Sequence, residues 1–560
     1  VHSDSKAPRQ LELVSRLVDA FNVQRARAVD TFTLQPGQTR TLPQVLELKT
    51  APERWSTDKP YLYTLITLIK ENGKVIDEVK TPYGFRTVRW PNPNGTGDGR
   101  FYLNEQPLFI NGICEYEHQL GNSHAFSPEQ IAARIAQCKA AGFNAFREAH
   151  QPHNLRYTQA LDKEGLLQWS QLSAHIWYDT PAFKEQFLAS LEEWIVERRN
   201  SPSIVMWGLQ NESSLPAAFA ATCTELIRTL DPTASTERLV TTCNGGEGTD
   251  WNVVQNWSGT YSGDPDRYGQ ELVKERLNGE YGAWRTLDLH TEGGFIKDPP
   301  YSEDRFCHLM AQKIGLAEQH KDSLCGHFLW LLNSHDNPGR VQNEEGYRDI
   351  DRIGPFNYKG LLTPWGEPLD AFYLYRSQYA PKETAPMVYL VSHTWPDRWT
   401  TPGLKDSLLV YSNCDSVVVY NEAVNLDRLD DHAAACLGSR CRPKGPDGLP
   451  LKGSAFQWDG ILIRYNVLHA LGYVDGRVVA QDLIVLNHLP KAPEATVVLD
   501  PVHRSMPVVD LTPAPDYTYL YRVNCGGPTY VDSHGQRWMA DRPRSGAAGW
   551  GSVSWTDAFQ

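Results

Sequence analysis

Residues 201–213 read SPSIVMWGLQNES, and they decide the fold. The apolar run Ile204-Val205-Met206-Trp207 follows a Ser-Pro turn and has the length and composition of a buried strand. Upstream, Thr180 and Pro181 open an amphipathic helix whose Phe187, Leu191, Trp194 and Ile195 share one face, and the helix ends before Asn200-Ser201-Pro202. Helix, turn and apolar strand are followed at once by Asn211 and Glu212, beyond the strand's C-terminal end. The preceding unit repeats the order. Ser127, Pro128 and Gln130 form a capping box with proline at the first helical position, Ile131, Ile135 and Cys138 mark one face, and Gly142 stops the helix. Strand 143–146 then delivers Arg147 to its C-terminal end. Further apolar runs at 108–111, 166–169, 239–242, 253–256, 277–280 and 327–331 bring the number of strands to eight. Alternation of this kind predicts a (β/α)₈ TIM barrel over residues 91–382.

The flanks read differently. Residues 1–90 carry alternating stretches such as Tyr61-Leu62-Tyr63-Thr64-Leu65 between Pro, Gly and Asn turns, as expected of an immunoglobulin-like β-sandwich. Residues 383–489 read as a second immunoglobulin-like sandwich, with Ser407-Leu408-Leu409-Val410-Tyr411 and Ile461-Leu462-Ile463-Arg464-Tyr465 its clearest strands. A Pro-rich linker spans 490–515, and residues 516–560 are rich in Gly and Trp. A multidomain chain is the expectation at 560 residues, too many for one core. The net charge of -13 repels phosphate backbones, which argues against a nucleic-acid partner, and no apolar run reaches the roughly 20 residues of a membrane span. The 17 Trp and 25 Tyr suit sugar-binding clefts as well as ordinary cores. Of the ten cysteines only Cys436 and Cys441 lie close enough in sequence to suggest a local bridge, no C-x₂-C metal spacing occurs, and Cys114, Cys138, Cys223, Cys243, Cys307 and Cys325 read as buried thiols. The start VHSDSKAPRQ lacks the features of a targeting peptide.

In a (β/α)₈ barrel the site is assembled at the C-terminal ends of the strands. Glu212 and Glu280 occupy such positions after the fourth and seventh strands, which face each other across the mouth. Paired carboxylates there suit glycoside hydrolysis, one protonating the leaving oxygen and the other attacking the anomeric carbon, about 5 to 5.5 Å apart in retaining enzymes and about 6.5 to 9.5 Å in inverting ones. Glu280 sits in GEYGAW among glycine and aromatics, and Asn211 offers an amide to a sugar hydroxyl. Arg147 is placed to pair with Glu280 and keep it charged.

These residues carry a resemblance. YGFRTVRW, GRFYLNEQPLFINGI, GFNAFREAHQP, SPSIVMWGLQNES and LNGEYGAW, in that order, resemble glycoside hydrolase family 2, the β-galactosidase, β-glucuronidase and β-mannosidase family, over residues 1 to about 490. The resemblance implies Glu212 as acid/base, Glu280 as nucleophile, Asn211 on the sugar 2-hydroxyl, and His150 and Trp330 lining the donor-sugar site. His118 in EYEHQLG matches a family position near the same site, and Tyr261 in NWSGTY a partner of the nucleophile. The segments VNCGGPTYVDSHGQRWMADR and GWGSVSWTDAF resemble the start of a malectin-like carbohydrate-binding domain, which the chain is expected to cut short. Family members begin with a jelly-roll domain that is not found before residue 1, so a fragment is the expectation. The acidic metal-binding stretch of the family reads here as WSQLSAHIW, so neither a metal nor a cofactor is expected.

Asn357-Tyr358-Lys359-Gly360 matches an N-x-K-G element that binds the substrate carboxylate in β-glucuronidases, and similar text occurs in related β-galactosidases. The expected activity is a retaining exo-β-glycosidase, first a β-galactosidase, with β-glucuronidase as the alternative. Asn333, His335, Asp336 and Arg340 in LWLLNSHDNPGR are further candidates for sugar recognition. A non-catalytic carbohydrate-binding protein is the reading from another class, marked by loss of one carboxylate; both are present. A polysaccharide lyase would not need the paired glutamates. The expected partners are a carbohydrate substrate and, as an assembly option, further copies of the chain. The expected location is secreted, periplasmic or cell-surface.

Overall fold

A computed structural model describes residues 1–560 except 94, 119–124, 175–178, 214, 285, 287–301, 337–355, 392, 394–397, 494–517, 525–527, 533, 541 and 543–560. The first unit is an antiparallel sheet of β1 (Arg9–Val18), β2 (Gln24–Leu34), β3 (Tyr63–Glu71) and β4 (Lys74–Tyr83), in the order β2-β1-β3-β4. Leu11, Leu13, Phe32 and Ile69 on one face pack with Leu42. A small sheet of β5 (Val88–Arg89), β6 (Tyr102–Leu103) and β7 (Gln106–Pro107) leads into the barrel.

All eight expected barrel strands form: β8 (Ile110–Glu115), β9 (Ala145–Glu148), β10 (Leu167–Gln171), β11 (Ile204–Asn211), β12 (Leu239–Cys243), β13 (Trp251–Asn256), β14 (Leu277–Gly282) and β15 (Gly326–Trp330). They pair in parallel around a closed ring, which is sealed where Gly326 meets Ile110. The strand that opened the reading is longer than its apolar run, because Gly208, Leu209, Gln210 and Asn211 continue the ladder beside β12.

Local chemistry sets the helices of the outer ring. Helix α1 (Pro128–Ala140) begins with the capping box, Gln130 N–H donating to Ser127 Oγ (3.2 Å) and Ser127 N–H to Gln130 Oε1 (2.8 Å). Helix α2 is Leu155–Glu164, and helix α3 (Pro181–Arg198) is capped by Thr180, whose hydroxyl accepts from Phe183 N–H. Phe187, Leu191, Trp194 and Ile195 of α3 pack on Ile204, Trp207 and Leu209 of β11, as the periodicity predicts. Helices α4 (Ala217–Leu230), α5 (Tyr268–Glu275), α6 (Glu303–Glu318) and α7 (Asp370–Tyr379) complete the described part of the ring.

The first unit docks at the N-terminal face of the barrel. Arg86 donates to the carbonyls of Pro202 and Ile204 and pairs with Glu237, while Trp90 Nε1 donates to the carbonyls of Val205 and Glu237. Both anchors grip the start of β11, so the strand ends that carry Asn211 and Glu280 lie at the opposite mouth.

A two-residue ladder pairs β16 (His335–Asp336) with β17 (Phe356–Asn357). Beyond the barrel, β18 (Val388–Leu390), β19 (Gly403–Ser412) and β22 (Phe456–Ile463) form one sheet, and β20 (Ser416–Tyr420), β21 (Cys436–Cys441), β23 (Val467–Val474) and β24 (Arg477–Val485) form another. Val410, Trp458, Val417, Leu468 and Ala470 share the core between them. The suggested bridge of Cys436 and Cys441 is corrected here. They are the two ends of β21, five extended steps or about 16 Å apart, whereas a disulfide needs Cα atoms within about 7 Å; both are free and exposed. In the segment resembling a malectin domain, Val523–Asn524, Tyr530–Val531 and Arg537–Ala540 form a small sheet. Among the described residues no helix is long and apolar enough to cross a membrane.

Candidate active site

Arg147 organises the mouth of the barrel. Strand β9 delivers it fully buried, with its guanidinium 4.4 Å from the ring centroid of Trp169. Nη1 donates to Glu280 Oε1 and to the Gly279 carbonyl, both at 2.7 Å, and Nη2 donates to Asn211 Oδ1 at 2.7 Å. The planar fork of arginine reaches two strands at once, which the point charge of lysine cannot do. Because Oδ1 of Asn211 is occupied, its Nδ2 is a buried donor without a partner among the described residues, and it is available to a sugar hydroxyl.

Glu280, on β14, is buried. Burial pushes its carboxyl up to about 7, the negative charge of Glu212 pushes it the same way, and Arg147 and the Lys359 ammonium pull it down. Glu280 therefore feels the charge of Glu212, the carboxylate expected to act with it. Glu212 follows the last residue of β11, its N–H donating to the Cys243 carbonyl (2.9 Å), and it is half-buried. Its φ of 43° lies in the left-handed region, which side chains other than glycine adopt rarely and at a cost of about 1 to 3 kcal/mol. A strained backbone at a candidate catalytic residue is consistent with a geometry held for function.

His150 lies flat against Trp330, ring centroids 4.9 Å apart and planes 6° from parallel. Its Nδ1 is 2.9 Å from Gln171 Oε1, and its Nε2 is 3.6 Å from Glu280 Oε1. Tyr116 meets Trp330 edge-on at 5.2 Å and extends this aromatic wall to His118 and His335, at 6.0 and 4.6 Å. Lys359 is buried, with its ammonium 5.2 Å from the ring centroid of Tyr261. Tyr261 stands at the rim, 40% exposed and 5.6 Å from Trp257.

The structure thus brings Arg147, His150, Asn211, Glu280, Trp330 and Lys359 together, with Glu212 in electrostatic reach. Asn357 and Asp336 are described only by their backbone in the β16–β17 ladder, and Arg340 lies outside the described residues. Asn333 is buried and held in its loop by two hydrogen bonds. Its N–H donates to Glu115 Oε2, and its Nδ2 to the Thr363 carbonyl. Glu115 itself forms a buried ion pair with Arg134. Sequence reasoning missed Gln171, Trp169 and Tyr116. Trp169 and Gln171 are two apart on β10, so the two-residue period of a strand was a usable signal. Among the described residues no three His, Cys, Asp or Glu side chains are arranged to hold a metal ion.

Residues 96–285 match the family description "Glycosyl hydrolases family 2, TIM barrel domain", and residues 1–86 match "Glycosyl hydrolases family 2". A putative beta-glucuronidase of Formosa agariphila is 30% identical over 405 residues, 66% of this chain and 48% of that protein. A beta-galactosidase of Psychromonas ingrahamii is 30% identical over 174 residues, 30% of this chain and 16% of that protein. The chain spans about half the length of the first of these relatives and less of the second. The crystal structure of the Parabacteroides merdae beta-glucuronidase superposes with a TM-score of 0.71 over 88% of this chain and 61% of that one, at 21% identity, a likeness of fold. Residues 1–86 and 96–285 thus carry two domains of glycosyl hydrolase family 2.

Proposed function

We propose that the chain is the catalytic part of a retaining exo-β-glycosidase and that its first substrate class is β-glucuronides. The observation that carries the reaction is the buried Arg147–Glu280 pair, which feels the charge of Glu212 at the same barrel mouth. In the first step Glu280 attacks the anomeric carbon as Glu212 protonates the glycosidic oxygen, so that the bond to the aglycone breaks and a glycosyl ester forms on Glu280. In the second, Glu212 takes a proton from water, whose oxygen attacks the same carbon and releases Glu280. Asn211 Nδ2 is oriented by Arg147 toward a ring hydroxyl.

Support for a uronate comes from Lys359, a buried cation whose charge reaches Glu280. A substrate carboxylate beside the nucleophile would raise the cost of ionising Glu280, and an ammonium offsets that charge. The similarity to glucuronidases covers two thirds of the chain. A second reading, β-galactoside hydrolysis, draws on relatives that match the chain over a shorter part of its length. The segment from residue 516 is proposed as the start of a carbohydrate-binding domain in a secreted or surface enzyme, on its sequence resemblance.

The test is a panel of p-nitrophenyl β-glycosides with the unaltered chain and with Glu212→Gln and Glu280→Gln. Turnover of the glucuronide, lost in both variants, with the β-anomer released first, supports the reading. Turnover of the galactoside alone selects the second reading, and silence on every sugar removes both.

A further inference from the structure

We propose that Gln171 binds the glycone: its Nε2 donates a hydrogen bond to one oxygen of the bound sugar while its Oε1 holds His150. The inference deepens the reading of the site as a glycosidase and rests on it.

Gln171 ends β10 at the barrel mouth and is fully buried. Its backbone is fixed, because the N–H donates to Glu148 Oε2 (3.3 Å), which also accepts from Ser170 Oγ (2.5 Å). Its side chain is fixed at one end by His150 Nδ1 at 2.9 Å. The other end, Nε2, has no partner among the described residues. A buried amide donor left unpaired costs about 1 to 3 kcal/mol. Among the described residues nothing relieves that cost, and the amide is held at its oxygen by His150.

Room for that amide comes from β11. A Cβ on Gly208 would stand 2.7 Å from Gln171 Cγ, 3.1 Å from Gln171 Nε2 and 2.8 Å from Trp169 Nε1. Glycine at 208 therefore lets Gln171 cross toward β11. His150 connects the same amide to the reacting centre, since its Nε2 faces Glu280 at 3.6 Å and its ring lies on Trp330. An acceptor oxygen of a sugar seated on the His150–Trp330 wall would complete the amide's hydrogen bonding. Asn211 Nδ2, a second amide donor without a partner among the described residues, is held in the same way through its oxygen. Two amides, each tied by its oxygen and each presenting N–H, form a recognition pair for hydroxyl or carboxylate oxygens.

The test compares kcat/KM for the p-nitrophenyl glycoside that the 560-residue chain turns over with kcat/KM for its 2-, 3- and 4-deoxy analogues, in unaltered protein, Gln171→Met and Gln171→Glu. In unaltered protein, removing the oxygen that Gln171 contacts should cost about 5- to 100-fold, since the donor is left buried and unpaired. That penalty should vanish in Gln171→Met. It should also vanish in Gln171→Glu, whose carboxylate still accepts from His150 but cannot donate, so a folding defect in one variant does not decide the result. Penalties that survive unchanged in both variants overturn the proposal, as does one lost in Gln171→Met yet kept in Gln171→Glu, which would make residue 171 an acceptor. Turnover of the parent glycoside, abolished by Glu280→Gln, is the separate readout for the reaction itself.

Discussion

Arg147 Nη1 and Glu280 Oε1, on two buried side chains, are 2.7 Å apart, and the same guanidinium holds Asn211 through its second nitrogen. One side chain thus fixes the charge of the candidate nucleophile and the orientation of the amide beside it. Loss of either function should be visible without loss of the fold.

Arg147→Lys keeps a cation but removes the fork, so Glu280 and Asn211 cannot both be held. We expect kcat/KM to fall by about 10²- to 10³-fold, the scale of losing one preorganised donor. Thermal denaturation in parallel checks that the variant is folded. A fall of less than about 10-fold would show that the fork is dispensable.

Nucleophilic attack requires the anion of Glu280, whose carboxyl burial pushes up to about 7. Activity is therefore lost as pH falls through that value, and the acidic limb of kcat/KM should lie well above the ordinary carboxylate range. Lys359 pulls the same carboxyl down. Lys359→Met removes that pull, so the limb should move to higher pH. For a glucuronide KM should also rise about 10- to 100-fold, the scale of a charge-assisted hydrogen bond, with a smaller rise for an uncharged glycoside. An unchanged limb would detach Lys359 from the site.

The residues that were legible in the sequence are those whose local signal and role coincide. Eight strands could be placed because each is a short apolar run bounded by turn or helix-capping residues, and Glu212, Glu280 and Arg147 were found at their ends. Gln171 was not, because LQWSQ mixes polar and apolar residues and the polar interior of a barrel mouth reads like a solvated face. Its importance comes from His150 and Gly208, which are distant in sequence. The same holds for Arg86 and Trp90, whose bonds to Ile204 and Val205 of β11 span more than a hundred residues. Cys436 and Cys441 misled for the opposite reason: closeness in sequence is distance along an extended strand.

Gly208→Ala places a methyl group against Gln171 and Trp169 at under 3 Å. Overpacking of this kind costs about 1 to 3 kcal/mol, and it presses on the side chain that His150 holds in place. We expect a lowered denaturation temperature together with reduced kcat/KM. A variant as stable and active as the parent would mean that the amide has space elsewhere.

Trp207 offers the converse test, a residue of the same strand that should matter for stability and little for chemistry. It is fully buried on the outer side of β11, meets Trp194 at 4.9 Å, and donates from Nε1 to Asp231 Oδ2 at 2.8 Å. Asp231 also accepts from Arg238 and Thr233. Trp207→Phe removes one hydrogen bond and part of the packed ring, which should cost about 1 to 3 kcal/mol, whereas Trp207→Ala should cost about 3 to 5 kcal/mol. Because Glu212 is also tied to β12 through the Cys243 carbonyl, kcat of the folded Trp207→Phe protein should stay close to that of the parent. Thermal denaturation and steady-state kinetics on one preparation check both. If kcat falls with stability, the outer face of β11 governs the position of Glu212, and the mouth is less independent of its scaffold than the hydrogen bonds of Arg147 imply.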